Sequence, residues 1–310
     1  MSKAIWETKT SGRKVGVFAL GIKDIKKGSV EKQVHDGDTA NVYTKNYFGV
    51  RFLGVDTPEI SYRLPCRDFL ELSDEQWDAF LAHPFGSSGM DVGLQTYIRD
   101  RLGHGVASNH YRHAVAAREG LKRMMREDIQ EMSKPEETFE FFLSFASEVM
   151  DRYGRLLCFV NRNQPQGSPP PTYNERLLQE GLAAPYFIWP NINPFRAAGS
   201  ASDAVIKPGT AGDLAEKDRT LKQAREWVAA ARRDGKGIFS TQDPLALLPF
   251  EVRFLADQRS PNRWVIDLGR NDDSLVPPQE YYAVQNPEDR LFIPEEYVPL
   301  FVEKGWKRGG

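Results

Sequence analysis

Between Val30 and Asp56 the apolar positions come in short alternating runs separated by polar turns, which is the period of half-buried β-strands. SVEKQV, ANVYT and VRFLGV predict three strands, joined through HDGDT and a break at KNYFG, and the Asp-Gly pair is a strong hairpin signal. TFEFFLSF and LLCFV predict two more, flanking the turn DRYGR. Five short strands linked by hairpins point to a small β-barrel within an α+β chain.

The period changes to that of helices at HAVAAREGLKRMMRED, where Ala114, Ala117, Leu121 and Met124 fall on one stripe. TYNERLLQEGLA predicts a short helix closing near Gly181. DLAEKDRTLKQAREWVAAARRDG predicts a long one closing near Gly235, with Leu214, Leu221, Ala224, Val228 and Ala231 on its packing face. About three helices should therefore pack on the barrel, in a unit spanning residues 29–240.

Two regions stand outside this plan. Residues 60–112 read as a helical insertion, with Ser73 and Gln76 as a capping box, a helix carrying Trp77, Phe80 and Leu81, and a second helix near Leu94 to Leu102 beyond GSSG. Residues 241–310 read as a small β-containing extension in which EVRFL and RWVIDLG are expected strands. Residues 1–28 form an N-terminal extension whose run RKVGVFAL is expected to pair with that C-terminal segment.

Composition changes the picture in one respect. The 310 residues carry a formal net charge of −2, unusual for a binder of phosphates, which relies on Lys and Arg to displace counterions. The 241–310 segment has twelve acidic against eight basic residues, so it accounts for −4 and leaves +2 for the remainder. That acidic segment is a candidate surface for protein contact or oligomerisation. An N-terminus without a signal-length apolar run, and no run of about 20 apolar residues, fit a cytoplasmic protein with no membrane partner. The two cysteines, Cys66 and Cys158, suit a reducing compartment, with Cys158 expected as a buried thiol.

The candidate chemistry lies in the turns. Alone, DGDT is most often a solvated hairpin turn and VDTPE an acidic strand end. Adjacent strands lie about 5 Å apart, so Asp38 and the Asp56 turn can converge on one hard divalent cation, for which calcium tolerates irregular oxygen geometry. Glu59, just beyond, could polarise a water. Arg51 and Arg155 are each unremarkable alone, but as a pair their planar forks suit the oxygens of a phosphate gaining charge.

DGDT, VRFLGVDTPE and DRYGRLLCFV, followed by NERLLQEGLA and AREWVAAARRDGKGIFS, resemble in that order the staphylococcal nuclease (thermonuclease) family. The resemblance runs from about Ser29 to Ser240, apart from the insertion. It implies a five-stranded OB-fold barrel and calcium-dependent hydrolysis of DNA and/or RNA that leaves 3′-phosphate ends. It further implies Asp38 and Asp56 as carboxylate ligands, Thr57 as a carbonyl ligand, and Glu59 as general base. Arg51 and Arg155 would clamp the scissile phosphate and Tyr153 would contact substrate, while Asp36 would act only indirectly. The main alternative is a non-catalytic OB-fold module that binds nucleic acid or serves as a scaffold. His83, His104, His110 and His113 match no compact zinc spacing, and no metal is expected there.

Overall fold

The computed structural model describes residues 5–7, 14–20, 30–43, 47–65, 67–86, 88–151, 153–164, 166–191 and 200–309. Cys66 lies outside them. The chain is mixed α+β. Its strands begin with β1 (Ile5–Glu7), β2 (Lys14–Leu20), β3 (Val34–Asp36), β4 (Thr39–Tyr43) and β5 (Tyr47–Phe52). They continue with β6 (Gly54–Asp56), β7 (Ser61–Arg63), β8 (Phe69–Glu71), β9 (Glu140–Met150), β10 (Leu156–Arg162), β11 (Ala184–Ile188), β12 (Arg263–Asp267) and β13 (Arg290–Pro294).

Seven of these form a sheet in the order β1-β2-β9-β10-β5-β4-β3. β10 runs parallel to β5, with Leu157 opposite Arg51, whereas β4 and β5 are antiparallel, with Thr39 opposite Arg51. β2 also meets β4 through Ala19↔Tyr43 and Leu20↔Val42. The N-terminal run therefore pairs with β9 and β4, and not with the C-terminal segment as expected. SVEKQV also differs from expectation, since Val30–Gln33 is a helical turn and only Val34–Asp36 is extended.

The principal helices are α1 (Glu75–Leu81), α2 (Val92–Arg99), α3 (Val106–Glu131), α4 (Tyr173–Gln179), α5 (Arg219–Arg233) and α6 (Pro249–Ala256). α3 buries Ala114, Ala117, Leu121, Met124 and Met125, and its stripe closes the main core against Val42, Val50, Phe52 and Phe141. Because α3 starts at Val106, the 112 boundary of the insertion falls inside a continuous helix. The long helix expected between residues 213 and 235 is broken at Asp218, whose carboxylate accepts from the Thr220 and Leu221 N–H groups and starts α5. Asp74, not Ser73, caps α1 by accepting from the Gln76 N–H at 2.9 Å, while the Ser73 hydroxyl turns back to Glu71.

EVRFL is helical and not a strand. Pro249 sits in the first turn, and the Glu251 carboxylate accepts from the Leu248 N–H at 2.7 Å. RWVIDLG does supply β12, which pairs with β13; β13 runs parallel to β11, and β11 pairs with β6. The C-terminal segment thus extends the sheet that ends on Asp56. It also shares a second core with the insertion, where Leu72, Trp77, Leu94 and Ile98 meet Val252, Leu255, Tyr281 and Phe292. Among the described residues no helix is long and apolar enough to cross a membrane.

One buried ion pair fastens these two regions. Glu251, 0% exposed, accepts from Arg101 Nη1 and Nη2 at 2.9 and 2.8 Å and from the Tyr281 hydroxyl. Removing one partner of such a pair leaves an uncompensated buried charge, at a cost of about 3–5 kcal/mol. Arg101→Ala should lower unfolding stability by that order in urea titrations; an unchanged midpoint would show that the pair does not hold the two regions together.

Candidate active site

The site begins in a turn that only a small residue permits. Gly37, between Asp36 and Asp38, packs so closely that an added Cβ would lie 2.5 Å from Ala117 Cβ and 2.8 Å from Thr57 Cγ2. The hairpin is thereby pressed between α3 and the loop after β6, which drives the Asp38 carboxylate inward to 1% exposure. Asp38 Oδ2 accepts from the Thr57 N–H at 3.1 Å and Oδ1 accepts from the Thr39 hydroxyl at 3.1 Å.

Arg51, on β5, joins the two acidic turns. Its Nη1 donates to Asp38 Oδ1 at 2.6 Å and its Nη2 to Asp56 Oδ1 at 2.7 Å. Asp56 is wholly buried at the end of β6, and its second oxygen, Oδ2, accepts from Arg253 Nη2 at 2.7 Å. Arg253 Nη1 donates in turn to Glu59 Oε1 at 2.6 Å. The result is a continuous chain, Asp38–Arg51–Asp56–Arg253–Glu59, with both guanidiniums largely withdrawn from solvent.

Five residues singled out in the sequence, Asp38, Arg51, Asp56, Thr57 and Glu59, are therefore brought together. Arg155 and Tyr153 are not bonded into this chain. Asp151 Oδ1 accepts from both of their N–H groups at 2.9 Å, and Asp151 Oδ2 accepts from Arg155 Nε at 2.8 Å. The Arg155 guanidinium lies 5.5 Å from the centre of the Tyr153 ring. Leu156 pairs with Val50, so Arg155 stands beside Gly49, where an added Cβ would meet its Cγ at 3.3 Å. Gly49 and Arg51 share a strand face about 7 Å apart, and Arg155 is thus one step along the sheet from Arg51. Tyr153 is 67% exposed.

Two residues escape sequence reasoning. Arg253 reaches the cluster from α6, 197 positions beyond Asp56, and EVRFL carries no local mark of that role. His110, on α3, accepts from the Glu59 N–H through Nε2 at 2.9 Å and so fixes the backbone at the base of that side chain. His113 Nε2 contacts the Asp243 carbonyl, and the Asp243 carboxylate accepts from Asn109 and Arg112, so this group of side chains ties α3 to the C-terminal segment.

The electrostatics follow from burial and charge count. Asp38, Asp56 and Glu59 are ion-paired with the two guanidiniums Arg51 and Arg253, and Asp36 lies beside them, so carboxyl groups outnumber guanidiniums in the cluster. Burial, reinforced by Asp38 and Glu59, pushes the Asp36 carboxyl well above the usual carboxylate range. Burial also raises Glu59, against the opposing pull of Arg253 and Arg51. Burial tends to lower the Arg51 and Arg253 guanidiniums, but their carboxylate partners outweigh it and raise both above the ordinary arginine value.

As it stands, no group of three or more His, Cys, Asp or Glu side chains among the described residues is spaced to hold a metal ion, because the guanidiniums occupy the space between the carboxylates. The donor set nonetheless fits a hard divalent cation. Two buried carboxylates already converge on a common positive charge.

Burial pushes His110 down to about 3 from an unfolded value of 6.5, so it stays neutral in the fold. Its contribution to stability is fully present above 6.5 and is lost as pH falls from 6.5 toward 3, because the unfolded chain takes up the proton first. Wild type should lose up to about 1.4 kcal/mol per pH unit more than His110→Gln within that window. Parallel stability profiles in urea between pH 7.5 and 5 would contradict the assignment of a neutral, buried imidazole.

No protein-family model matches the chain. Among curated proteins it is similar to the endonuclease YhcR of Bacillus subtilis (strain 168), at 29% identity over 171 residues. The match takes in 50% of this chain and 11% of that protein, so the chain spans a small part of its relative's length.

Proposed function

We propose that the chain is a metal-dependent nuclease that hydrolyses phosphodiester bonds of DNA and/or RNA. The observation that carries this reading is the joining of Asp38, Arg51, Asp56 and Glu59 into one buried cluster from three separate turns and strands. Similarity to a protein named an endonuclease supports it. Its scaffold is proposed to be the five-stranded OB-type barrel, since the pairings β4–β5–β10–β9–β2 return to β4 through Ala19↔Tyr43 and Leu20↔Val42.

In this reading Asp38 and Asp56, with the Thr57 carbonyl, hold the cation, and Asp36 tunes the charge around them. By resemblance to thermonucleases that cation is calcium, and when bound it supplies positive charge to the phosphate. Glu59 takes the proton of a water whose oxygen bonds to phosphorus. The phosphorus to 5′-oxygen bond then breaks with its electron pair on the departing oxygen, which takes a proton from solvent, leaving a 3′-phosphate. Arg51 and Arg155 grip the phosphate oxygens as they gain charge, and exposed Tyr153 contacts the sugar or a terminal phosphate. His110 acts through Glu59 by holding its N–H.

Labelled single-stranded and duplex DNA and RNA, incubated with calcium or with a chelator, test the reading. Calcium-dependent cleavage is expected. Arg155→Ala, at a side chain 34% exposed and not part of the buried chain, should lower turnover by at least roughly 10²-fold without affecting folding. Glu59→Gln should reduce the single-turnover rate at saturating oligonucleotide far more than affinity. Tight binding with no cleavage under any divalent cation would instead support the non-catalytic OB-fold module.

A further inference from the structure

We propose that Arg253 is a third phosphate-binding guanidinium of this site, delivered by the C-terminal segment. The proposal rests on the nuclease reading and extends it to a residue outside the thermonuclease-like stretch.

Arg253 is placed by the packing of its helix. Its helix, α6, is fixed on one side by buried Val252 and Leu255 and by Glu251, which receives Arg101, Tyr281 and the Leu248 N–H. Asp257, directly after α6, accepts from the Tyr62 hydroxyl at 3.3 Å and so moors the other end of the helix to β7. With its neighbours anchored in the second core, Arg253 projects to the opposite side, into the acidic cluster. Its place is set by a packed, capped helix and does not depend on its own ion pairs.

The Arg253 fork points between two carboxylates. One nitrogen bonds Asp56, a candidate cation ligand, and the other bonds Glu59, the candidate base. A phosphate attacked by a water at Glu59, with an oxygen near a cation at Asp56, must lie between those two carboxylates, and the guanidinium spans that interval. Arg253 Nη2 is then free to turn from Asp56 to a non-bridging phosphate oxygen once a cation takes up that carboxylate, while Nη1 keeps Glu59 oriented. A planar guanidinium with two parallel donors suits this exchange of carboxylate for phosphate oxygens, whereas lysine offers only a point charge.

Charge points the same way: Asp38, Asp56 and Glu59 meet the guanidiniums of Arg51 and Arg253, and without Arg253 the cluster would set one more uncompensated negative charge against an incoming phosphodiester.

The test compares wild type, Arg253→Ala and Arg253→Lys in cleavage of a labelled oligonucleotide with calcium, alongside melting temperature. Arg253→Ala should lower kcat by roughly 10²-fold with a smaller change in KM, and Arg253→Lys should recover part of the loss. A kcat within a few-fold of wild type, or above it, would overturn the proposal; a rise would mark Arg253 as a plug. A structural role alone would lower melting temperature in both variants and leave kcat of the folded fraction unchanged, which also overturns it. If the wild type cleaves nothing, the nuclease reading fails, and calorimetry with a 5′-phosphorylated thymidine dinucleotide in calcium still decides. Binding weakened about tenfold or more in Arg253→Ala supports a phosphate contact, and equal binding refutes it.

Discussion

The structure around the site depends on the fork of Arg51, which holds the carboxylates of Asp38 and Asp56 on adjacent oxygens at 2.6 and 2.7 Å. Two carboxylates at 1% and 0% exposure are costly to keep ionised unless a cation and further donors reach them. Arg51 supplies the cation from β5, and the Thr57 N–H and Thr39 hydroxyl supply additional donors. The same bond therefore pins the DGD hairpin to the end of β6, and the turn of Gly37 must be tight enough to allow it. The remaining Asp56 oxygen is met by Arg253, so the C-terminal segment completes an electrostatic arrangement that the core domain leaves unfinished.

That dependence explains why the insertion and the C-terminal segment share a core. To present Arg253 at Asp56, α6 needs a rigid bed. Trp77, Leu94 and Ile98 from the insertion supply it, together with Tyr281 and Phe292. The Glu251 to Arg101 pair adds a directional tie, and the Asp243 cluster with Asn109, Arg112 and His113 adds another near the start of the segment. The two regions that looked added to the plan are thus a single support, begun directly after Glu59 and finished after the main helices.

Legibility in the sequence tracked how local the determining physics is. β4, β5, β9 and β10, the stripe of α3 and the buried thiol of Cys158 were readable because alternation and helical period report which face is covered. EVRFL reads as a strand because Val252 and Phe254 alternate, whereas the deciding features are Pro249, just before that window, and the bond from the Leu248 N–H to the Glu251 carboxylate. The cap of α1 falls on Asp74 and not Ser73 because both are favoured N-cap residue types and only geometry chooses between them. The candidate site divided the same way. Asp38, Asp56 and Glu59 lie at turns and strand ends, and Arg51 on a strand, all near in sequence, so their convergence is legible in advance. Arg253 and His110 arrive through tertiary packing across 197 and 51 positions, and no local pattern encodes that.

The central claim is that the guanidiniums now filling the acidic cluster mark the places of a cation and a phosphate. Crystals soaked in calcium and examined by anomalous diffraction test it most directly. The account predicts one ion bound by the carboxylates of Asp38 and Asp56, with Arg253 Nη2 withdrawn from Asp56. Both guanidiniums still bonded to those carboxylates at saturating calcium, with no ion between them, would contradict it.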